Sequence, residues 1–214
     1  MRIDPVGDHL GLRERKKLQA RRRIAEAAHE LFVARGFDQV TIGDVAAAAE
    51  MSVKTVFNYF GTKEDLAFEG EDQVIALWIN AIRHRDPSLT PLGAVRELVE
   101  QRLDAAVIAR LDAFADLVGA STDLQSRLRL LWDRLEEALT RVLVAESPAV
   151  EGAGTSWDVA VARVEAARVV ALPRLFFSDD VRAYLAEASD HTEAVVRWLD
   201  AAVRTLGAAP ADAR

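Results

Sequence analysis

Cysteine is absent from all 214 residues, which excludes disulfides and thiolate metal sites and fits a reducing compartment. No apolar run approaches eighteen residues, so no transmembrane helix is expected. No signal-peptide pattern opens the chain, and a cytoplasmic location is the expectation. The four histidines, His9, His29, His84 and His191, stand isolated. No metal, nucleophile or phosphate-loop spacing surrounds them, so no cofactor or metal is expected and an all-α enzyme is the weakest reading. His29 reads as structural or solvent-facing. Proline is scarce at six residues, while alanine, leucine, glutamate and arginine abound, which argues for helix nearly throughout. No internal repeat stands out. The class is all-α, with enough apolar residues (50%) for one large core or a small domain beside a larger one.

Against these absences, the stretch from Thr41 to Leu66 is densely punctuated. Thr41 is an N-cap with Asp44 three residues on, so a helix is expected to begin at Ile42, with Val45, Ala46 and Ala49 as its apolar face. Ser52 caps a second helix through Phe60 after a link of about three residues, the length of a helix-turn-helix. Gly61 and Thr62 end it, and Thr62 with Asp65 opens a third. Within the second helix Val56 and Phe60 lie four apart and dock on the first, with Phe57 beside them. Val53, Lys54, Thr55 and Asn58 face outward, as a major-groove reader requires. Lysine donates to guanine edges, asparagine pairs with adenine, and the valine and threonine methyl groups meet a thymine methyl. Tyr59 and Lys63 suit phosphate contacts that fix register without reading sequence. An ordinary capped helical hairpin with a polar face is the competing reading.

Thr41-Ile42, Val45-Ala46, Ala49, Ser52, Val56-Phe57, Tyr59-Phe60 and Lys63-Glu64 with Leu66 together resemble the DNA-binding signature of TetR-family transcriptional regulators. The resemblance covers residues 21–69, roughly. It implies a helix packed across the hairpin, a linking helix, a helical ligand-binding body and a homodimer. The implied DNA-binding set is Arg21, Thr41, Ser52, Val53, Lys54, Thr55, Asn58, Tyr59 and Lys63. One departure is visible: the turn usually reads Gly-Val-Ser, and here it is Glu50-Met51-Ser52. Glutamate at a left-handed position costs about a kcal/mol, which strains the turn without abolishing it.

A net charge of −7 counts against a nucleic-acid partner until its distribution is considered. Residues 1–66 hold 11 Lys/Arg against 10 Asp/Glu, and the remainder holds 16 against 24. Arg13, Arg15, Lys16, Lys17, Arg21, Arg22 and Arg23 crowd together, opposed only by Glu14. Such a run is either a solvated helix end or, before a reader, a phosphate-contacting or minor-groove arm.

The expected organisation is a helix-turn-helix domain over 13–66 and a ligand-binding and dimerisation domain over 67–214, about nine helices in all. Residues 1–12 are expected to be disordered. Helix 1 is expected from Arg13 to Arg35, with Ile24, Ala28, Leu31 and Phe32 inward, Gly36 as its stop and Phe37 folding back. A long helix should run from Thr62 to about Arg85, with Ala67, Val74, Leu77, Trp78, Ala81 and Ile82 inward and Glu69, Glu71 and Asp72 solvated. One or two helices follow over 91–119, with Leu98, Leu103, Val107 and Leu111 as core. Another spans 121–146, with Leu124, Leu128, Leu131, Leu135 and Val142 on one face. Residues 147–156 read as a loop. The last helices are expected near 157–177, interrupted by Pro173, and 180–206. The resemblance assigns these two to the dimer interface, and it places a small-molecule inducer in the body of a palindrome-binding repressor. Candidate pocket residues are Trp78, Ile82, Arg102, Phe114, Trp132 and Phe176, each of which also reads as ordinary core or surface. A helical ligand-binding or interaction module that has lost DNA affinity is the alternative.

Overall fold

Helix-forming residues dominate from Leu12 onward. The computed structural model, which describes residues 11–146 and 155–207, has eleven α-helices and no strand among those residues. They are α1 (Leu12–Arg35), α2 (Ile42–Ala48), α3 (Val53–Tyr59), α4 (Lys63–Ala67), α5 (Glu71–Arg83) and α6 (Pro91–Glu100). After these come α7 (Ala105–Gly119), α8 (Thr122–Glu146), α9 (Thr155–Phe176), α10 (Asp179–Ala186) and α11 (His191–Gly207). His9 and most of the loop expected at 147–156 lie outside the described residues. The segment expected to be disordered lies outside them through residue 10.

Two breaks raise the count from nine to eleven. The single helix expected from Thr62 to Arg85 is interrupted at Gly70, whose φ of +93° belongs to the left-handed region and starts α5 afresh. The inward face of α5 is therefore set independently of α4: Ile75 and Ile82 are buried, whereas Val74, expected inside, is 46% exposed. The helix expected over 180–206 is divided at residues 187–190. There the Asp190 carboxylate accepts the Glu193 N–H (2.9 Å) and caps α11.

The chain forms two compact units. The first comprises the residues through Glu69 together with Asp116–Arg127. In it α1 packs on α2 and α4, and α2 on α3. Ile24, Ala28 and Phe32 of α1 are buried with Val45, Ala46, Val56, Phe60 and Leu66. Gly36 ends α1 at φ +80°, ψ 151°, a conformation essentially reserved for glycine, and the chain turns so that Phe37 returns onto Phe32 with ring centroids 5.1 Å apart. In the α7–α8 turn, buried Ser121 donates to Asp38 (3.0 Å), and Arg127 faces Asp65 and the Phe68 ring.

The second unit comprises Gly70–Ala115 and the residues from Leu128 onward. Thr90 caps α6 and Pro91 occupies its first turn. α6 packs against α5, α9 and α11, and its buried residues are Leu92, Ala94 and Val95. Leu98, Leu103, Val107 and Leu111, expected as core, are half-buried. The main core joins Ile82, Val95, Leu135, Leu139, Val169, Val170 and Leu199, and a smaller cluster gathers Ile108, Phe176, Leu185 and Val195. Glu71, expected on a solvated face, pairs with Arg134, as does Asp72.

Candidate functional site

Three capped starts follow one another in the first unit. The Thr41 hydroxyl accepts the Asp44 N–H (3.1 Å) while the Asp44 carboxylate accepts the Thr41 N–H (2.9 Å), a complete capping box. Thr62 and Asp65 repeat it for α4. The Asp44 carboxyl is held below the usual aspartate range by its bonds from the Thr41 hydroxyl and backbone N–H, with Arg35 adding attraction. Ser52 opens α3 by accepting the Thr55 N–H (3.0 Å), and the two hydroxyls meet at 2.8 Å.

Between α2 and α3 the chain turns through Glu50, the only non-glycine residue with positive φ among the described residues (φ +54°). Glu50 N–H donates to the Ala47 carbonyl and Met51 N–H to that of Ala46, the paired bonds of a Schellman end. The left-handed position anticipated from the departing turn is therefore real. Its carboxylate pairs with Arg23, which places a cation beside a negative charge otherwise close to the reading helix.

Val56 and Phe60 of α3 are buried, as their spacing predicts. Phe57 is not beside them: it is 50% exposed and shares the outer face with Val53, Lys54 and Asn58. Its distance of four residues from exposed Val53 was the signal for this placement. Lys54 and Asn58 are exposed and make no hydrogen bond or ion pair among the described residues. The outer face thus presents a free cation, a free amide and two apolar side chains, the chemistry that major-groove edges require.

The other candidates hold this face rather than belong to it. Arg21 lies half-buried across three partners. Its Nε and Nη2 bind the Glu69 carboxylate (3.0 and 2.5 Å), its Nη1 donates to the Tyr59 carbonyl (2.7 Å), and its guanidinium lies 4.3 Å from the centre of the Phe60 ring. Glu69, expected on a solvated face, is the counter-ion of this contact. Lys63 Nζ donates to the Phe37 carbonyl (3.1 Å) and sits 4.0 Å over its ring. Tyr59 is half-buried, and Thr41, Ser52 and Thr55 spend their hydroxyls on caps. The basic run Arg13 to Arg23 is helical from Leu12 onward, so it is no extended arm. A helix about 10 Å across does not enter a minor groove of about 6 Å, so the run is either a solvated helix face or one that meets phosphates through its unengaged cations.

The second unit contains an apolar cavity of about 130 Å³ between Trp78, Leu103, Phe176, Phe177, Trp198 and their neighbours. Of the residues proposed for a pocket, Trp78 and Phe176 line it. Phe114 and Trp132 stand one layer behind, their rings 5.9 and 6.0 Å from that of Phe177. Ile82 is fully buried in the main core, and Arg102 is exposed at the surface, so neither contributes. Leu103, expected as core, also lines it, as do Phe177 and Trp198, which spacing did not single out. Leu103 lies between α6 and α7 and Phe177 just after α9, and they meet Trp198 of α11 only in the tertiary structure. No group of acidic or imidazole side chains suited to a metal occurs among the described residues, and no described helix is long and apolar enough to cross a membrane.

Residues 24–69 match the family model of bacterial regulatory proteins of the tetR family. The chain is 32% identical over 85 residues to the HTH-type transcriptional regulator TcmR of Streptomyces glaucescens, covering 40% of this chain and 38% of that protein. It is 31% identical over 134 residues to the HTH-type transcriptional repressor LfrR of Mycolicibacterium smegmatis, covering 62% and 66%. These matches therefore span less than two thirds of either relative. Among solved structures, Thermus thermophilus FadR, a TetR-family repressor in complex with lauroyl-CoA, superposes with a TM-score of 0.51 at 23% identity, covering 91% of this chain and 100% of that one. At that identity the likeness is one of fold.

Proposed function

The chain belongs to the tetR family of bacterial regulatory proteins, and from that premise we propose that it is a cytoplasmic DNA-binding transcriptional repressor. It reads a palindromic operator as a homodimer and is released by a small molecule. The observation that carries this reading is the outer face of α3, where Val53, Lys54, Phe57 and Asn58 stand exposed on a helix anchored by buried Val56 and Phe60. Asn58 suits a bidentate bond to adenine and Lys54 a guanine edge, while Val53 and Phe57 suit thymine methyl groups. One such helix reads half a site, and a two-fold dimer supplies the second half about 34 Å away. The helices near 157–177 and 180–206 are proposed as its interface. Val161, Val164 and Leu175 of α9 are 46%, 59% and 41% exposed, an apolar stripe that a second copy would cover.

Selection of duplexes from a random library, followed by fluorescence anisotropy across a salt series, tests the reading. The expected product is an inverted repeat whose binding weakens by about 1–3 kcal/mol in Asn58→Ala, with relaxed preference at one base pair per half-site. Sedimentation should give a dimer that Val164→Asp converts to monomers. Absence of any enriched duplex at low salt would refute the regulator reading and favour a helical ligand-binding or interaction module.

A further inference from the structure

We infer that the cavity of the second unit takes a small, uncharged, single-ring aromatic compound and rejects carboxylates and amines of the same shape. That this compound acts as the releasing ligand rests on the function proposed above; that it binds does not. Four rings face the space. Trp78 comes from α5, Phe176 from the last residue of α9, Phe177 from the turn that follows it, and Trp198 from α11. The rest of the wall is aliphatic, and no polar atom contributes to the lining surface. Phe176 packs against Phe177 at 5.5 Å and 77° and against Trp198 at 5.7 Å and 59°, so the walls offer both ring edges and ring faces. Aromatic guests prefer such offset and edge-to-face contacts.

Size narrows the class. A volume of about 130 Å³ is close to the roughly 150 Å³ apolar cavity that stays dry and binds benzene. One ring with a methyl or ethyl group fits, and a long acyl chain does not. Charge narrows it further. Arg102, the one charged residue among the pocket candidates, lies at the surface and outside the lining. A carboxylate or ammonium entering the cavity therefore loses its water and meets no counter-ion. Trp78, Val99, Leu103, Leu111 and Trp198 are only half-buried, so the space is reached from solvent past them.

Isothermal titration of the full chain with toluene, benzoate and benzylamine at neutral pH tests this. Toluene should saturate, with benzoate and benzylamine weaker by about a hundredfold or more. Leu103→Phe, which fills the space, should weaken toluene at least about tenfold while the melting profile holds. Val99→Glu should weaken toluene and strengthen benzylamine, an inversion that mere unfolding does not produce. Equal affinity for the charged analogues, no saturation with toluene, or indifference of toluene binding to both variants overturns the proposal. A parallel anisotropy measurement adds toluene to the complex with the selected duplex. Release supports both readings, whereas binding without release supports the ligand class and overturns release by this ligand.

Discussion

Arg21 separates two uses of a cation near DNA, and replacing it with methionine distinguishes them. The substitution keeps the apolar stem and removes the guanidinium. Two bonds to Glu69, one to the Tyr59 carbonyl and the stacking over Phe60 are lost together. Full burial would make each charge-assisted bond worth about 1.5–3 kcal/mol. The side chains of Arg21 and Glu69 retain 40% and 24% exposure, so the ion pair itself is discounted to at most about 1 kcal/mol. The carbonyl bond adds about 1 kcal/mol and the ring contact about 0.5 kcal/mol. Arg21→Met should therefore destabilise the first unit by about 2 kcal/mol, read by urea unfolding and by hydrogen exchange of the α3 amides. In a double-mutant cycle with Glu69→Gln the two losses should couple by about 1 kcal/mol. Because the guanidinium is already engaged, the salt slope of DNA binding should stay unchanged. A stability change under about 0.5 kcal/mol, with the slope falling by about 1, would refute the clamp and make Arg21 a phosphate contact.

Lys16→Ala/Lys17→Ala should lower the salt slope of DNA binding by about 2 with unfolding unaffected, since both residues are exposed on α1 and make no ion pair among the described residues. Glu50→Gly should stabilise the first unit by about 0.5–1 kcal/mol in urea titration. It relieves a left-handed backbone and forfeits only an ion pair with Arg23 whose side chains are 51% and 78% exposed. Asp44 should contribute an acid-sensitive increment. Its folded pKa is depressed by the Thr41 bonds, so the unfolded chain binds the proton first as pH falls. The increment is thus complete above the ordinary aspartate value of about 3.9 and is lost below it, toward the lower folded value. Asp44→Asn should flatten that part of an acid unfolding curve followed by circular dichroism, and an unchanged curve counts against the capping box as its origin.

The N-terminal half was legible because its signals are local. Caps at Thr41, Ser52 and Thr62 act within three residues, and the spacing of Val56 and Phe60 fixes which side of α3 is buried. Adjacency to Val56 points Phe57 inward, whereas its distance of four from Val53 points it outward, and it stands outside at 50% exposure. In the body, periodicity set the buried face of α8 correctly at Leu124, Leu128, Leu135 and Val142. On α5 it placed Ile82 and Trp78 correctly and missed only at Val74, because Gly70 restarts the helix in a phase that buries Ile75 instead. The ion pairs of Arg21 with Glu69 and of Arg134 with Glu71 join residues 48 and 63 positions apart. No local pattern distinguishes such a carboxylate from a solvated one. The cavity likewise draws on residues from Trp78 to Leu199, and tertiary packing alone brings them together.

The polar residues around α3 divide by what each has left to give. Thr41, Ser52 and Thr55 have spent their hydroxyls on helix starts, while Arg21 and Lys63 have committed their cations to backbone carbonyls and aromatic faces. Each commitment fixes a helix end or a crossing. Lys54, with three donors, and Asn58, with two donors and an acceptor, use none of that capacity among the described residues. Leaving them idle costs little, because water satisfies them until a partner displaces it. Sequence discrimination requires that a base edge meet a side chain whose position is already set, since ordering it at the moment of contact consumes part of the binding energy. The internal bonds supply that setting, and under the proposed function the idle residues supply the contact. A motif that counts polar residues treats the two groups alike. What separates them is whether the hydrogen-bonding capacity is already occupied, and on that measure the base contacts proposed above are assigned to Lys54, Asn58 and the apolar pair Val53 and Phe57.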